Sequence, residues 1–346
     1  MTLLAVFLVA AAISAAVIKG LLLTRLGTRM LDMPNERSLH HAPTPRIGGI
    51  GICVSIILVI GVTPLVDIEF LELFVFITAG AMVVVLISLV DDVVPVNVGV
   101  RLLFHFGAAA LIGSELIVRD LQIAGVSIHL PGVLATIFTL LYVVWLINLY
   151  NFMDGMDGFA GGMAVVGFSG LALIASFADL LDVAAIAVCL AGAAAGFLLF
   201  NFPPARVFMG DTGSSTLGFF AAALSLWADI VGAVPLWISV LLFSPFIVDA
   251  SVTLVRRALN RERVWRAHRS HYYQKLVQLG WGHRKTVLAE YVLMIACAAS
   301  AVVASRLDPR GQAAVIILWV IGYTCLIALV HRLEARRDAN ESSKTA

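Results

Sequence analysis

Apolar positions along this chain come in long unbroken runs, and polar ones gather in a few short stretches between them. Counting runs of about 18 apolar residues as membrane-spanning helices predicts eleven, at roughly 1–24, 48–66, 70–90, 101–118, 130–150, 158–178, 183–200, 213–228, 232–255, 286–305 and 312–331. Some are short or abut one another, so ten is the alternative count. The runs are continuous rather than alternating, which argues against a β-barrel. A backbone in lipid must satisfy its own polar groups, which leaves helices. The expected fold is all-α, a polytopic helical bundle forming one integral membrane domain over residues 1–346. The stretch "AAISAA" reads like a cleavage region, but no basic segment precedes the first apolar run, which continues to Leu23. A retained helix is therefore expected there.

Composition sharpens this picture. With 61% hydrophobic and 13% charged residues, the chain has far more apolar surface than a water-soluble domain can bury. The net charge of +1 says little, but its distribution says more: 19 of the 23 Lys and Arg fall in the odd-numbered loops and the C-terminal tail. By the positive-inside rule those loops and the C-terminus are cytoplasmic and the N-terminus is outside. Cys53, Cys189, Cys297 and Cys325 all lie in predicted spans, without metal or disulfide spacing, and read as small packing residues.

The acidic and amide residues converge on the same face. Asp91 and Asp92 end the third span and Arg101 opens the fourth. "NLYNFMDGMDG" lies between spans five and six, "NFPPARVFMGDTGS" between seven and eight, and "HRSHYYQ" after span nine. All belong to odd loops, so the active face is expected on segments 25–47, 91–100, 148–157, 201–212 and 256–285. Asp is unfavourable at a helix C-terminus, and two adjacent carboxylates repel unless a cation or proton intervenes. Asp91-Asp92 therefore points to metal, cation or proton handling, against a plain solvated helix end. Asn148, Asn151, Asp154 and Asp157 recur every three residues and, if helical, form one winding polar stripe. Gly155 and Gly158 interrupt it and admit another group close to the backbone. A solvated turn explains one or two of these six, not all.

"FMGDTGS" combines a carboxylate suited to a hard cation with a helix start suited to phosphate, the plain alternative being capping alone. His268 and His271 lie among Arg256, Arg257, Arg261, Arg263, Arg266 and Arg269. Topology and anionic lipid account for part of that charge. Histidine beside arginine suits a diphosphate, whereas zinc has no third ligand nearby. "SLHHAPTPRIGG" reads alone as a stiff turn. Asp249 pairs with Arg256 or Arg257, or serves function as an intramembrane acid. His105 is expected to be structural.

These motifs together are similar to those of the polyprenyl-phosphate N-acetylhexosamine-1-phosphate transferases, the superfamily that includes WecA and MraY. Asp91-Asp92, "NLYNFMDGMDG", "NFPPARVFMGDTGS", "HRSHYYQ" and "TPRIGG" carry the resemblance, over about Asp32 to Gly282. "AHRSHYYQKLVQLGWGH" looks closest to the branch that starts O-antigen or related surface polysaccharides. It lacks the consecutive histidines of the peptidoglycan-precursor enzymes.

The resemblance implies transfer of a sugar 1-phosphate from a UDP-N-acetylhexosamine, or its 6-deoxy derivative, to undecaprenyl phosphate in the bacterial inner membrane, with UMP released on the cytoplasmic side. It implies Mg²⁺, with Mn²⁺ as a substitute, held by Asn151 and Asp211. Asp91, Asp92 and Asp211 would be catalytic. Arg46, Arg101, Asn148, Asp154, Asp157, Asn201, His268, Arg269 and His271 would bind substrates. Membrane lipid and the two substrates are the expected partners. No nucleic acid is expected, and relatives include homodimers. The rival readings are an ion-coupled secondary transporter and a lipid-diphosphate phosphatase.

Overall fold

A computed structural model describes residues 2–34, 42–62, 71–263 and 268–345. A helix lies in each of the eleven predicted segments, and the protein is an all-α membrane bundle. Among the described residues seven helices are long and apolar enough to cross a bilayer, or eight if one bent pair counts as a span. They are α1 (Leu3–Leu22), α4 (Leu71–Val93), α6 (Gly132–Met153), α7 (Phe159–Phe177), α8 (Leu181–Asn201), α13 (Gly282–Ala304, with the turns before it) and α14 (Pro309–Thr345). The helices α3 (Gly48–Val62) and α5 (Val98–Gly113) are apolar but short. α9 (Gly210–Ile230) carries Asp211, Thr212, Ser214, Ser215 and Thr216 in its first two turns.

The segment predicted as one ninth span is instead two helices, α10 (Leu236–Leu242) and α11 (Ser244–Leu259), meeting at 87°. Pro245 stands at the start of α11, where its missing N–H and fixed φ suit a helix start and not a helix interior.

At the centre stand α7, α8 and α9, and α9 is buried at every position from Thr212 to Ala228. Small residues let the backbones close in. A Cβ on Gly196 of α8 would lie 2.2 Å from Ala11 O of α1, and one on Gly192 would lie 2.4 Å from Phe7 O. α14 is peripheral, with only 6% of its apolar window buried.

Two small antiparallel sheets complete the fold. β1 (Leu31–Asp32) pairs with β2 (Thr44–Pro45) after the short helix α2 (Arg25–Arg29). β3 (Asp120–Ile123) and β4 (Val126–His129) form a hairpin between α5 and α6. Its turn residues, Ala124 (φ 48°) and Gly125 (φ 83°), both have positive φ, as a two-residue hairpin requires. Neither sheet was evident from the apolar pattern. Residues 35–41 and 264–267, which include Arg266 and the start of "SLHHAPTPRIGG", lie outside the described residues.

Candidate active site

The site begins with a backbone floor. Phe208 N–H donates to Pro45 O (2.8 Å), Gly48 N–H to Phe208 O (2.9 Å) and Gly49 N–H to Met209 O (2.7 Å). "TPRIGG" and "VFMGD", far apart in sequence, thus run side by side. A Cβ on Gly49 would lie 2.3 Å from Gly213 N, so the glycine pair is what lets the starts of α3 and α9 touch. Arg46, on this floor, donates from Nη2 to Asp32 Oδ1 at 2.6 Å.

Gly210 (φ 74°) then turns the chain under the end of α4. Asp92 Oδ1 accepts from Asp211 N–H (2.8 Å), and Oδ2 accepts from Thr212 N–H (2.9 Å) and Thr212 Oγ1 (2.6 Å). A carboxylate there satisfies the first N–H groups of α9 and faces the positive end of its dipole. The expectation that this helix start accepts phosphate is therefore corrected: Asp92 already fills it.

Asp91, its neighbour, faces the other way. Its Oδ1 accepts from Val96 N–H (2.6 Å), and Oδ2 meets Arg101 Nη1 at 2.6 Å. The same nitrogen reaches Asp211 Oδ2 at 2.9 Å. Asn97 caps α5 through Gly99 N–H (2.8 Å) and so sets Arg101 one turn into the helix. Asn151 donates to Ser214 Oγ (3.1 Å) and lies against the Asp211 carboxylate. One guanidinium, two acids and one amide thus converge from α4, α5, α6 and α9.

The polar stripe breaks where the sequence periodicity carried it on. α6 ends at Met153, and Asp154 follows with ψ 52°. Asn148 and Asn151 are helical, whereas Asp154 and Asp157 occupy the turn to α7. Asn148 bonds elsewhere, donating to Val144 O (2.7 Å) and lying 3.2 Å from Nδ1 of buried His105. Asp154 stands among the acids. Its enclosure first, then the charges of Asp211 and Asp92, push its carboxyl well above the usual range, with Arg46 opposing.

Asp157 and Asn201 build the far wall. Asp157 Oδ2 accepts from Ala205 N–H (3.0 Å), and its Oδ1 lies 3.1 Å from His283 Nδ1. Asn201, 4% exposed, accepts from Gly158 N–H (2.8 Å) and donates to Val207 O (2.9 Å). Both ends of its amide thus fasten loops that carry site residues.

The histidine segment packs beside this wall through α12 (Tyr272–Leu276). Asp249 pairs with His271, not with an arginine: Oδ1 lies 3.1 Å from His271 Nδ1, and the carboxylate also accepts from Tyr272 N–H (3.0 Å) and Tyr273 N–H (3.1 Å). A carboxylate satisfies helix N–H groups at short range better than an arginine two turns away reaches it. Arg257 instead bonds Glu262 Oε2 (2.7 Å), and Arg256 donates to Ser270 O (2.7 Å). Two of the arginines assigned to a diphosphate therefore hold the loop itself.

The His268 ring lies 4.8 Å from that of His271, tilted by 33°, and accepts from Ser270 N–H at Nδ1 (3.3 Å). Burial, and then the neighbouring His271 and Arg257, lower its pKa to about 4. It is thus neutral near pH 7 and offers hydrogen bonds rather than charge. Arg269 O accepts from Gln278 Nε2 (2.9 Å).

The residues missed by sequence reasoning are Asp32, Tyr273, His283 and Tyr291. Of these, His283 and Tyr273 lie inside quoted motifs, and Tyr291 has no local signal. Among the described residues no three His, Cys, Asp or Glu side chains converge as a metal cluster. The donors beside Asp211 are hard oxygens, which suits Mg²⁺, an ion that needs one or two carboxylates and keeps water or substrate oxygens.

Residues 74–229, from α4 through α9, match the model of Glycosyl transferase family 4. The chain is 30% identical to a decaprenyl-phosphate N-acetylglucosaminephosphotransferase of Mycobacterium tuberculosis, over 90% of this chain and 85% of that one. It is 29% identical to a probable undecaprenyl-phosphate N-acetylglucosaminyl 1-phosphate transferase of Bacillus subtilis, over 79% and 76%. It is also 28% identical to a phospho-N-acetylmuramoyl-pentapeptide-transferase of Alkaliphilus metalliredigens, over 78% and 87%. With the acids of α4, α6 and α9 inside the matched region, the chain belongs to glycosyl transferase family 4, within the superfamily of polyprenyl-phosphate hexosamine-1-phosphate transferases.

Proposed function

We propose that this protein transfers a sugar 1-phosphate from a UDP-N-acetylhexosamine, or a 6-deoxy derivative, to undecaprenyl phosphate, releasing UMP. It would thereby start O-antigen or a related surface polysaccharide. The observation that carries the reading is Arg101 Nη1 between Asp91 and Asp211, at 2.6 and 2.9 Å. That places a fixed cation among hard oxygen donors at one end of an apolar bundle. The activities for which the relatives are named, all involving amino-sugar phosphates, support the reaction class.

In this reading a lipid-phosphate oxygen bonds to the β-phosphorus of the donor, and the bond from that phosphorus to the UMP oxygen breaks. Two anions must approach in a low-dielectric setting, so positive charge is required. Arg101 meets the lipid phosphate, and Asp91 fixes Arg101. A phosphate near neutral pH is already largely ionised, so Asp91 need not act as a base, and positioning is its task. Asp92 keeps Asp211 in place. Bound Mg²⁺, with Mn²⁺ as a substitute, would be held by Asp211 and Asn151 and would neutralise charge on the diphosphate. His268 and His271 offer hydrogen bonds to the donor. The charge distribution of the loops supports a cytoplasmic site in the bacterial inner membrane, N-terminus outside and C-terminus inside.

Purified protein incubated with a panel of UDP-sugars, undecaprenyl phosphate and Mg²⁺ tests this, with UMP and lipid-linked sugar both measured. Equal release of UMP and lipid product from an N-acetylhexosamine donor is expected. Release of inorganic phosphate, or substrate uptake into vesicles without product, would overturn it.

A further inference from the structure

The turn carrying Asp154, Asp157 and Gly158 is gripped from a helix that none of the acidic motifs includes. His283, in the first turn of α13, places Nδ1 3.1 Å from Asp157 Oδ1. Two turns further along, Tyr291 donates its hydroxyl to Gly158 O at 2.6 Å. A Cβ on Gly162 would lie 2.0 Å from Tyr291 Cε1, so that glycine exists to admit the tyrosine ring. Gly280 (φ 91°) and Gly282 (φ 67°) precede the histidine. A Cβ on either would meet nothing within 4 Å, so backbone conformation, not space, requires glycine there. Together they swing the chain out of α12 and bring His283 onto Asp157.

The remaining contacts of this turn show what the grip achieves. Asp157 Oδ2 holds Ala205 N–H, and Gly158 N–H donates to Asn201, which also holds Val207 O. Val207 leads directly into the floor at Phe208 and on to Asp211. Fixing Asp157 and Gly158 therefore fixes the wall that Asp157 and Asn201 build, none of these hydrogen bonds involving Arg101. The proposed lipid phosphate belongs at Arg101, so the water-soluble nucleotide takes this wall.

We infer that His283 and Tyr291 are positioning residues for the UDP-sugar donor, acting through Asp157 and Gly158 and not through the lipid acceptor. The inference rests on the transferase reading and deepens it.

Tyr291→Phe keeps the ring and removes only the hydroxyl. His283→Ala removes the imidazole, and His283→Asn returns an N–H near the place of Nδ1. Steady-state transfer by the full-length protein in detergent is measured against each substrate in turn, alongside melting temperature. Losing one such contact raises the donor KM by about three- to tenfold for His283→Ala and Tyr291→Phe. The acceptor KM and melting temperature stay near the parent's, and His283→Asn recovers most of the loss.

An unchanged donor KM, or donor and acceptor KM rising together with a fall in melting temperature, would overturn the inference while leaving the transferase reading intact. A parent protein that releases no UMP from any donor would overturn that reading, and this inference with it.

Discussion

Arg101 Nη1 lies 2.9 Å from Asp211 Oδ2, joining the first turn of α5 to the first turn of α9 across 110 residues of sequence. The same atom meets Asp91, so one nitrogen holds two carboxylates that would otherwise repel. Lysine offers a point charge on a flexible stem in place of a planar fork. Arg101→Lys is expected to raise the KM for undecaprenyl phosphate by about tenfold, and Arg101→Ala to lower kcat/KM on the order of a hundredfold. Acceptor titrations at fixed donor check both.

Asp211 is the carboxylate that would hold the proposed divalent ion. Asp211→Ala is expected to lower transfer on the order of a thousandfold or more. EDTA should silence the parent, Mg²⁺ should restore it fully and Mn²⁺ in part. Substantial turnover in Asp211→Ala would remove this residue as a ligand.

Asp92 accepts three hydrogen bonds from the start of α9. Asp92→Ala should therefore destabilise the fold by about 2 kcal/mol, the scale of a lost helix cap plus a buried hydroxyl partner. Asp92→Asn keeps one acceptor oxygen but turns its NH₂ donor toward a backbone N–H, so it should lose a similar amount. Thermal unfolding in detergent, followed beside activity, separates this structural task from a chemical one.

Gly49 faces backbone atoms, with Gly213 N at 2.3 Å and Met209 O at 2.8 Å from the place of a Cβ. Backbone cannot step aside as a flexible side chain can. Gly49→Ala is expected to destabilise by about 1–3 kcal/mol and to weaken activity further by parting "TPRIGG" from "FMGD". Gly20→Ala, where a Cβ meets nothing within 4 Å, is the control and should change neither property.

His268 is held neutral, its pKa lowered from 6.5 to about 4. Between those values the unfolded chain binds a proton that the folded one refuses, so stability falls as pH falls through that window. The melting temperature of the parent should drop from pH 7 to pH 4.5. In His268→Gln, which cannot gain that charge, the drop should be smaller. An identical pH slope in the two proteins would show that His268 carries no such penalty.

The apolar runs revealed the helices because in lipid the backbone has few alternatives. They did not reveal the 87° break between α10 and α11, since apolar residues continue on both sides of Phe243 and only Pro245 hints at it. The three-residue spacing of Asn148, Asn151, Asp154 and Asp157 suggested one stripe, yet α6 stops at Met153, and the two amides face different partners. Asp249 looked destined for a neighbouring arginine, but its partner, His271, is 22 residues away. The cap on α9 comes from Asp92, 120 residues upstream of Thr212. Local patterns identified which residue types gather at the site; which of them touch is set by tertiary contacts that no short window contains.

The contact between Asp92 and α9 has a consequence for biosynthesis. A ribosome-bound chain that has inserted only as far as α8 holds Asp91, Asp92, Arg101 and Asn151 but lacks the helix that orders them. In such a nascent chain Asp91 already has Arg101, but Asp92 lacks the N–H groups it caps and Asp211 is absent. The acidic centre therefore closes only when the Gly210 turn emerges beneath the finished third and fourth segments, and the wall at Asp157 waits longer, for His283 and Tyr291.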